Sequence, residues 1–157
     1  MKILVFGCAL AVMVAFAAGI VHAATLDDAK AIAEKAAEFW KANGKEKALA
    51  EFNNPKGQFV KGDVYVVVLD FKGIVLAHGG NPKLVGANLF DQKDPNSGKF
   101  FVREMADVAK TKGSGWVEYS WANPVTKKVQ PKKSWVIRIG HEDYLVNCGV
   151  FQLESSL

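Results

Sequence analysis

The chain has 157 residues, half of them hydrophobic, with 20 basic and 16 acidic side chains. This length suits one domain with a substantial hydrophobic core. The basic excess is small and most lysines are scattered, which does not favour a nucleic-acid-binding protein.

The first 23 residues have the features of a secretory signal peptide. Lys2 precedes an uncharged apolar run over 3–21, and the sequence Val-His-Ala at 21–23 fits a processing site. We expect cleavage after Ala23 or Ala24, which would leave one domain over 24–157 in the periplasm or outside the cell. The apolar run is also long enough to span a bilayer, so a retained N-terminal anchor is the alternative.

The two cysteines do not predict a disulfide. Cys8 lies near the start of the apolar run rather than after it, which argues against a lipoprotein signal, and cleavage would remove it. Cys148 would then have no partner within the chain. It lies in the apolar run YLVNCGVF, which favours a buried and inert thiol.

An amphipathic helix is predicted over 25–42. Thr25 is a favourable N-cap, and Asp27 and Asp28 suit the positive end of the helix dipole. Apolar residues recur at helical spacing and predict a buried stripe of Leu26, Ala29, Ala33, Ala36, Ala37 and Trp40. A shorter helix follows within 45–53.

Two strands are predicted next, joined by a tight turn. Residues 63–70 are β-branched and apolar on both faces, which is typical of a strand covered on both sides. The turn at 70–73 places Gly73 where a positive φ is expected. The partner strand over 73–79 would present Ile74, Leu76 and His78 on one face.

A polar loop leads to a second long helix over 99–113, with its N-cap expected at Asn96 or Ser97. Its helical spacing predicts a buried stripe of Phe101, Met105, Val108 and Ala109. Gly113 lies beyond the expected helix end, where a residue with positive φ is common.

Three strands complete the chain, at about 115–122, 132–140 and 144–151. Neighbouring strands joined by short turns pair antiparallel. The predicted fold class is therefore α+β, with one antiparallel sheet, helices on one side and the long N-terminal helix packed behind it.

Aromatic residues are concentrated in two of these strands. Alternation groups Val117 with Tyr119 and Trp121 on one face of the first, and Lys132 with Ser134, Val136 and Arg138 on one face of the second. The opposite faces carry Trp116, Glu118 and Ser120 in the first strand, and Lys133, Trp135, Ile137 and Ile139 in the second. On this period alone the favoured interpretation is a ring-filled core with solvent-facing Lys and Arg, and a polar site beside the rings is the alternative.

Neither a metal site nor an enzyme is predicted. His78 lies among apolar residues, where a hydrogen-bonded core histidine is more frequent than a ligand-binding one. His141 lies in a turn, and no cysteine pair or carboxylate cluster accompanies the two. The sequence has no Gly-x-Ser-x-Gly elbow, phosphate loop, His-Glu-x-x-His or Cys-x-x-Cys, so no catalytic residue and no cofactor is predicted.

A set of motifs nevertheless resembles one known family. The chain contains a histidine after the second strand, then NP-x-L-x-G, D-x-x-x-G, GW-x-x-Y-x-W, P-K-x-S-W-V and a closing G-V-F. Together, over about 25–153, they resemble the single Cache domain of the sCache_2 type. Members are PAS-like extracytoplasmic sensor domains of bacterial chemoreceptors and histidine kinases.

The resemblance implies a five-stranded antiparallel sheet with a long N-terminal helix across its back. It places a ligand pocket between the sheet and the loop and helix that follow the second strand. Ligands of such pockets are commonly small carboxylates such as acetate, propionate, pyruvate or lactate. The implied role is sensing in signal transduction or chemotaxis.

The resemblance also implies a set of ligand-binding residues. Four positions match those of the family: His78, Tyr119, Trp121 and Lys132. Trp135 stands where the family usually has Tyr, which removes a hydroxyl donor and adds bulk in the expected pocket. Arg103, early in the 99–113 helix, is a second candidate cation. A buried carboxylate needs a cation or several donors to offset its lost hydration, and these residue types supply both.

Receptors of this family have membrane helices and an output module, which the sequence after 151 does not show. We therefore expect a free-standing exported Cache domain that presents a solute to a membrane receptor or histidine kinase. Self-association as a homodimer through the N-terminal helix is expected from the family alone. The alternative is an interaction module with a vestigial pocket, which pairs with a receptor or with itself. An enzyme built on this scaffold is the least favoured hypothesis.

Overall fold

The computed structural model describes residues 23–152. The signal peptide predicted over 1–23 therefore lies almost entirely outside the described residues. Within 23–152, none of the helices combines the length and apolar content that crossing a bilayer requires.

The chain alternates between helical and extended segments in the predicted order. The helices are α1 (Leu26–Asn43), α2 (Lys45–Phe52), a short 3-10 helix (Pro82–Leu84) and α3 (Phe101–Lys112). The strands are β1 (Val60–Lys61), β2 (Val64–Asp70), β3 (Val75–His78), β4 (Ser114–Ala122), β5 (Val129–Arg138) and β6 (Tyr144–Phe151).

All strand pairs are antiparallel and form one sheet. The strands β2, β6, β5 and β4 lie side by side in that order, while β1 and β3 both pair with β2. The predicted α+β class is confirmed. The prediction of five strands omitted β1, because two residues are too short to show a period in the sequence.

Helix α1 begins with a capping box and covers one face of the sheet. The Thr25 hydroxyl accepts a hydrogen bond from the Asp28 N–H at 3.2 Å, and the Asp28 carboxylate accepts one from the Thr25 N–H at 2.8 Å. Five of the six predicted stripe residues are buried, namely Ala29, Ala33, Ala36, Ala37 and Trp40. The small alanines let the helix approach β5 and β6 closely, whereas Leu26 is only half-buried.

The sheet separates two apolar cores. The α1 face of the sheet is formed by alternate strand residues such as Val66, Val146 and Cys148. The α3 face carries Val67, Val117 and Val136, among others. Strand β2 is buried on both faces, as its β-branched sequence predicts.

Helix α3 begins without the predicted cap. Its N-cap position is Phe100, whose side chain makes no capping hydrogen bond. The prediction of Asn96 or Ser97 is wrong because Asp94 closes a separate turn before the helix. One oxygen of the Asp94 carboxylate accepts hydrogen bonds from the backbone N–H groups of Asn96 and Ser97, at 2.8 and 2.9 Å. All four stripe residues predicted for this helix are buried.

Candidate ligand-binding site

A small cavity lies between the α3 face of the sheet and helix α3. Strands β2, β3, β4 and β6, the loop before α3 and the helix itself all contribute walls. The residues that line it are Tyr65, Val67, Leu69, His78, Leu89, Phe101, Val102, Met105, Tyr119, Trp121 and Asn147. The cavity therefore occupies the place that the family resemblance implies for a ligand pocket.

The cavity is narrow in this conformation. Its volume is about 20 Å³, and one water molecule needs roughly 10–15 Å³ of such space. A bound carboxylate would therefore have to displace part of the wall. Trp121 and Leu89 are the half-buried members of that wall, whereas Tyr119 and Phe101 are buried.

His78 is both a hydrogen-bonded core residue and part of the cavity wall. It is 3% exposed, and its ring stacks on Tyr65 with 5.0 Å between centroids. The Nδ1 atom accepts a hydrogen bond from the Asn81 N–H at 2.9 Å. Burial, and then the positive charge of Lys132, lower the pKa of His78 to about 4. The ring is thus neutral near pH 7 and carries its proton on Nε2.

Lys132 places a buried ammonium group beside this cavity. The residue is 2% exposed, and its Nζ lies 3.7 Å from the centroid of the Tyr65 ring and 4.6 Å from that of Phe151. Within 23–152 no carboxylate forms a salt bridge with it. Burial lowers the pKa of Lys132 to about 7, while Cys148 and Asp63 act in the opposite direction. Cation–π contacts offset only part of the lost hydration of an ammonium group.

Tyr119 and Ser134 form a buried hydroxyl pair on the same face. Their oxygens are 3.1 Å apart, and the Tyr119 ring stacks on Phe101 with 4.5 Å between centroids. Gly149 lies opposite Ser134 in the neighbouring strand. A Cβ atom at Gly149 would lie 2.1 Å from the Ser134 Oγ, so the hydroxyl pair requires glycine there.

Trp121 closes the cavity on the side of strand β4. Its ring meets Phe101 edge-on with 5.6 Å between centroids, and Tyr119 at 6.5 Å. The structure thus brings His78, Tyr119 and Trp121 together around one cavity, with Lys132 stacked on a ring of its wall.

Two polar members of the wall, Tyr65 and Asn147, are not predicted by the sequence pattern. Tyr65 lies in the run VYVVVL, which has the pattern of a buried strand, and it alone carries a hydroxyl there. Burial raises the pKa of this hydroxyl, which keeps it protonated. Asn147 interrupts the apolar run YLVNCGVF and donates to the Val67 carbonyl at 3.4 Å. The isolated polar side chain in each of these apolar runs could have indicated that the two residues face a polar site.

Trp135 does not lie in the cavity, and the prediction that it lines the pocket is wrong. Its ring packs on the α1 face, 5.0 Å from that of Trp116 and 4.9 Å from the Lys30 ammonium. Trp135 and Lys132 are three positions apart, and an odd separation places strand residues on opposite faces. The bulk of this tryptophan therefore does not narrow the cavity.

Arg103 is also absent from the cavity. Its side chain is 46% exposed, forms an ion pair with Asp91 and lies over the Phe100 ring at 4.0 Å from the centroid. Helix α3 buries Val102 and Met105 instead, so Arg103 falls on the outer side of the helix. Arg103 therefore does not line the cavity, and its role as a second ligand-binding cation stays a prediction.

Comparison with known families identifies the domain. Residues 18–154 match the family described as Single Cache domain 2. The chain belongs to this family. The match begins within the predicted signal peptide, so the domain boundary near residue 23 stays a prediction.

A relative of this Cache domain is the sensor histidine kinase MctS of Rhizobium johnstonii. The two are 30% identical over 89 residues, which cover 57% of this chain and 19% of the kinase. The chain thus matches about a fifth of the length of that relative.

Three solved structures share the architecture over 80% of this chain. A methyl-accepting chemotaxis protein from Vibrio parahaemolyticus has a TM-score of 0.67 over 86% of its own chain at 22% identity, which supports the fold alone. A periplasmic sensor domain of a chemotaxis protein has a TM-score of 0.61 over 88% of its chain at 25% identity. A third structure is described as the basis for carboxylic acid recognition by a Cache chemosensory domain. Its TM-score is 0.61 over 86% of its chain at 26% identity.

The predicted family is therefore confirmed. The chain is a ligand-sensing, extracytoplasmic Cache domain, and the proteins that it resembles are sensors: chemotaxis receptor domains and, over part of its length, a sensor histidine kinase.

Proposed function

We propose that this Cache domain binds a short carboxylate, such as acetate, propionate, pyruvate or lactate, in the cavity between the sheet and α3. Binding would be reported to a membrane receptor or histidine kinase. The observation that carries the proposal is the buried ammonium of Lys132, which stacks on the cavity wall without a carboxylate partner among residues 23–152. A bound anion would supply the missing charge.

The surrounding groups suit a small, partly apolar anion. The neutral His78 ring offers its Nε2–H as a donor, and the buried hydroxyls of Tyr65 and Tyr119 remain protonated because burial raises their pKa. Val102 and Met105 on α3 provide apolar surface for a short alkyl chain. The small cavity volume favours ligands of few carbon atoms.

The similarity to a Cache domain described for carboxylic acid recognition gives independent support. That domain is 26% identical to this chain and has the same fold over most of its length. Its ligand class belongs to that protein, and we extend it to this one on the strength of Lys132 and the donors around it.

The proposal is tested by thermal denaturation of the purified protein with each of the four carboxylates. A ligand at 100 times its Kd should stabilise the fold by about 2.7 kcal/mol. Lys132→Met keeps a similar volume but removes the charge, so it should abolish this stabilisation without unfolding the domain. Lys133→Met is the matched control, because Lys133 lies on the opposite face and pairs with Glu118. Retained binding in Lys132→Met would contradict the proposal.

The alternative is an interaction module with a vestigial pocket. The observation that favours it is the cavity volume of about 20 Å³, which leaves little room for any ligand. Absence of stabilisation by all four carboxylates, together with a concentration-dependent association in solution, would support this alternative.

A further inference from the structure

A second, larger depression adjoins the cavity, and this inference rests on the proposed function. The depression has a volume of about 490 Å³. Tyr65, His78 and Trp121 line both the depression and the cavity. A different depression, beside Asp94, shares Tyr119 with the cavity and is also lined by Lys132. The wall between the cavity and the larger depression therefore consists of three side chains.

The rims of this depression are held by local hydrogen bonds. One rim is the 3-10 helix, where Asn81 donates to His78 and accepts from the Lys83 N–H at 3.3 Å. The other rim is the turn between β4 and β5, where the Asn123 carboxamide oxygen accepts from the N–H groups of Val125 and Thr126. Trp121 is half-buried between these rims and is the most exposed of the three shared side chains.

The lining of the depression is positively charged. Among residues 23–152, those that line it include the exposed Lys83 and Lys127 and no Asp or Glu. Lys127 has a φ of 62° and donates from Nζ to the Pro124 carbonyl, so its ammonium is held over the turn. One carboxylate adjoins the rim, that of Asp63, and it accepts a hydrogen bond from the Asn123 side chain at 3.0 Å. A concave surface lined by one sign of charge attracts the opposite ion and raises its association rate.

We infer that this depression is the access route of the anionic ligand, with Lys83 and Lys127 attracting the carboxylate and Trp121 acting as the gate to the cavity. The ligand passes from the exposed lysines, past Trp121 and the Nε2–H of His78, toward the buried ammonium of Lys132. The two exposed lysines act on the rate of association rather than on the bound complex.

The first test needs no bound ligand. Iodide is an anionic collisional quencher of tryptophan emission, and acrylamide is a neutral one. The emission of Trp121 is obtained by subtracting the emission of the same protein carrying Trp121→Phe. At low salt, Lys83→Gln/Lys127→Gln should reduce iodide quenching of Trp121 several-fold and leave acrylamide quenching unchanged. The control is Lys41→Gln/Lys112→Gln, with the same change in net charge at the opposite end of the sheet, and it should behave as wild type.

The second test measures propionate binding by stopped-flow fluorescence. The Lys83→Gln/Lys127→Gln variant should show a several-fold slower association at low salt, an unchanged dissociation rate and a weaker dependence on ionic strength. If Lys83→Gln/Lys127→Gln binds propionate with the association rate of wild type, the access route is wrong and the proposed function stands. Equal iodide quenching of Trp121 in Lys83→Gln/Lys127→Gln and Lys41→Gln/Lys112→Gln would also contradict the access route alone. If wild type binds none of the four carboxylates, the proposed function and the carboxylate route both fail, whatever iodide shows.

Discussion

At the scale of single residues, Lys132 links ligand binding to pH. Burial lowers the pKa of its ammonium to about 7. A bound carboxylate raises that pKa again, because it stabilises the charged form. Below about pH 7 the ammonium is already charged, so affinity for an ionised carboxylate is constant. Above about pH 7 binding must include proton uptake, and the affinity should fall by up to about tenfold per pH unit.

The groups around Lys132 do not titrate in the same range. Burial raises the pKa of Tyr65 and Tyr119 and raises that of Cys148 to about 12, while the pKa of His78 is lowered to about 4. Asp63 contributes a further charge to the surroundings of Lys132. Calorimetry with propionate at pH 6, 7, 8 and 9 would measure the effect. Equal affinity at pH 6 and 9 would show that Lys132 does not bind the anion in its charged form.

A second prediction at this scale concerns the stability of the protein when Gly149 is replaced. Alanine there would place its Cβ 2.1 Å from the Ser134 Oγ and 2.6 Å from the Lys133 carbonyl oxygen. We expect Gly149→Ala to lower the free energy of unfolding by about 2–4 kcal/mol, measured by urea denaturation. Adding Ser134→Ala removes the closer contact and should recover part of the loss. A Gly149→Ala protein as stable as wild type would contradict the tight packing of β5 against β6.

At the scale of elements, Asp94 connects the loop before α3 to the edge strand β4. Besides Asn96 and Ser97, its carboxylate accepts the Ser120 N–H at 2.6 Å. Burial alone would raise the pKa of Asp94, but the N–H donors outweigh burial and lower it. The loop and α3 form one wall of the cavity, so this carboxylate also holds that wall against the sheet.

Removing that carboxylate should therefore loosen the cavity wall. We expect Asp94→Ala to lower the free energy of unfolding by about 2–3 kcal/mol, because the buried N–H of Ser120 and the part-buried N–H groups of Asn96 and Ser97 lose a charged acceptor. Asp91→Ala, which changes an exposed carboxylate of the same loop, is the matched control. Since the folded-state pKa of Asp94 is lowered, its contribution is present above the unfolded pKa and disappears as the pH falls through the folded one. The destabilisation by Asp94→Ala should therefore shrink in acid, and a pH-independent difference would contradict this role.

The sequence predicts most elements because their signals are local. The capping box at Thr25 and the alanine stripe define α1, and uniform β-branching defines β2 as a strand covered on both sides. The sequence does not predict the start of an element where contacts between distant segments determine it. Strand β5 begins at Val129 rather than 132, because pairing with Ala122 extends the hairpin. The start of α3 was misplaced because the Asp94 carboxylate closes a turn over Asn96 and Ser97 while it also binds β4.

At the scale of the whole molecule, α1 presents a polar outer surface. Its exposed residues are small or charged, including Ala31, Glu34, Lys35, Glu38 and Lys41. The large hydrophobic residues exposed within 23–152 are Val85, Val125 and Val129, none of which lies on this helix. We expect the purified protein to be monomeric at micromolar concentration by sedimentation velocity. The contrary result is a dimer in the wild-type protein that dissociates in the Glu34→Arg/Glu38→Arg variant. It would show that two copies of α1 pair despite their polar surface.

The sequence predicts only part of the candidate site, because it does not always show which face of a strand or helix points to the cavity. The family motifs predicted the position of the cavity and three of the residues that line it, His78, Tyr119 and Trp121. Trp135 was misassigned because its motif stands beside Lys132, although strand alternation separates the two. Arg103 was misassigned because only the packing of α3 shows which side of the helix is buried. Tyr65 and Asn147 come from strands distant in sequence, so their approach depends on the sheet order.

The placement of Lys132 and Lys133 on opposite faces of β5 also constrains how this gene can change. Inserting or deleting one residue between Val129 and Lys132 would exchange the two lysines across the sheet. It would move Lys133 to the α3 face of the sheet and Lys132 to the α1 face, and so break the Lys133–Glu118 ion pair. Length variation in this region is therefore expected within the turn at 123–128, whose backbone closes on itself through Asn123. The strand itself can diverge only by substitution.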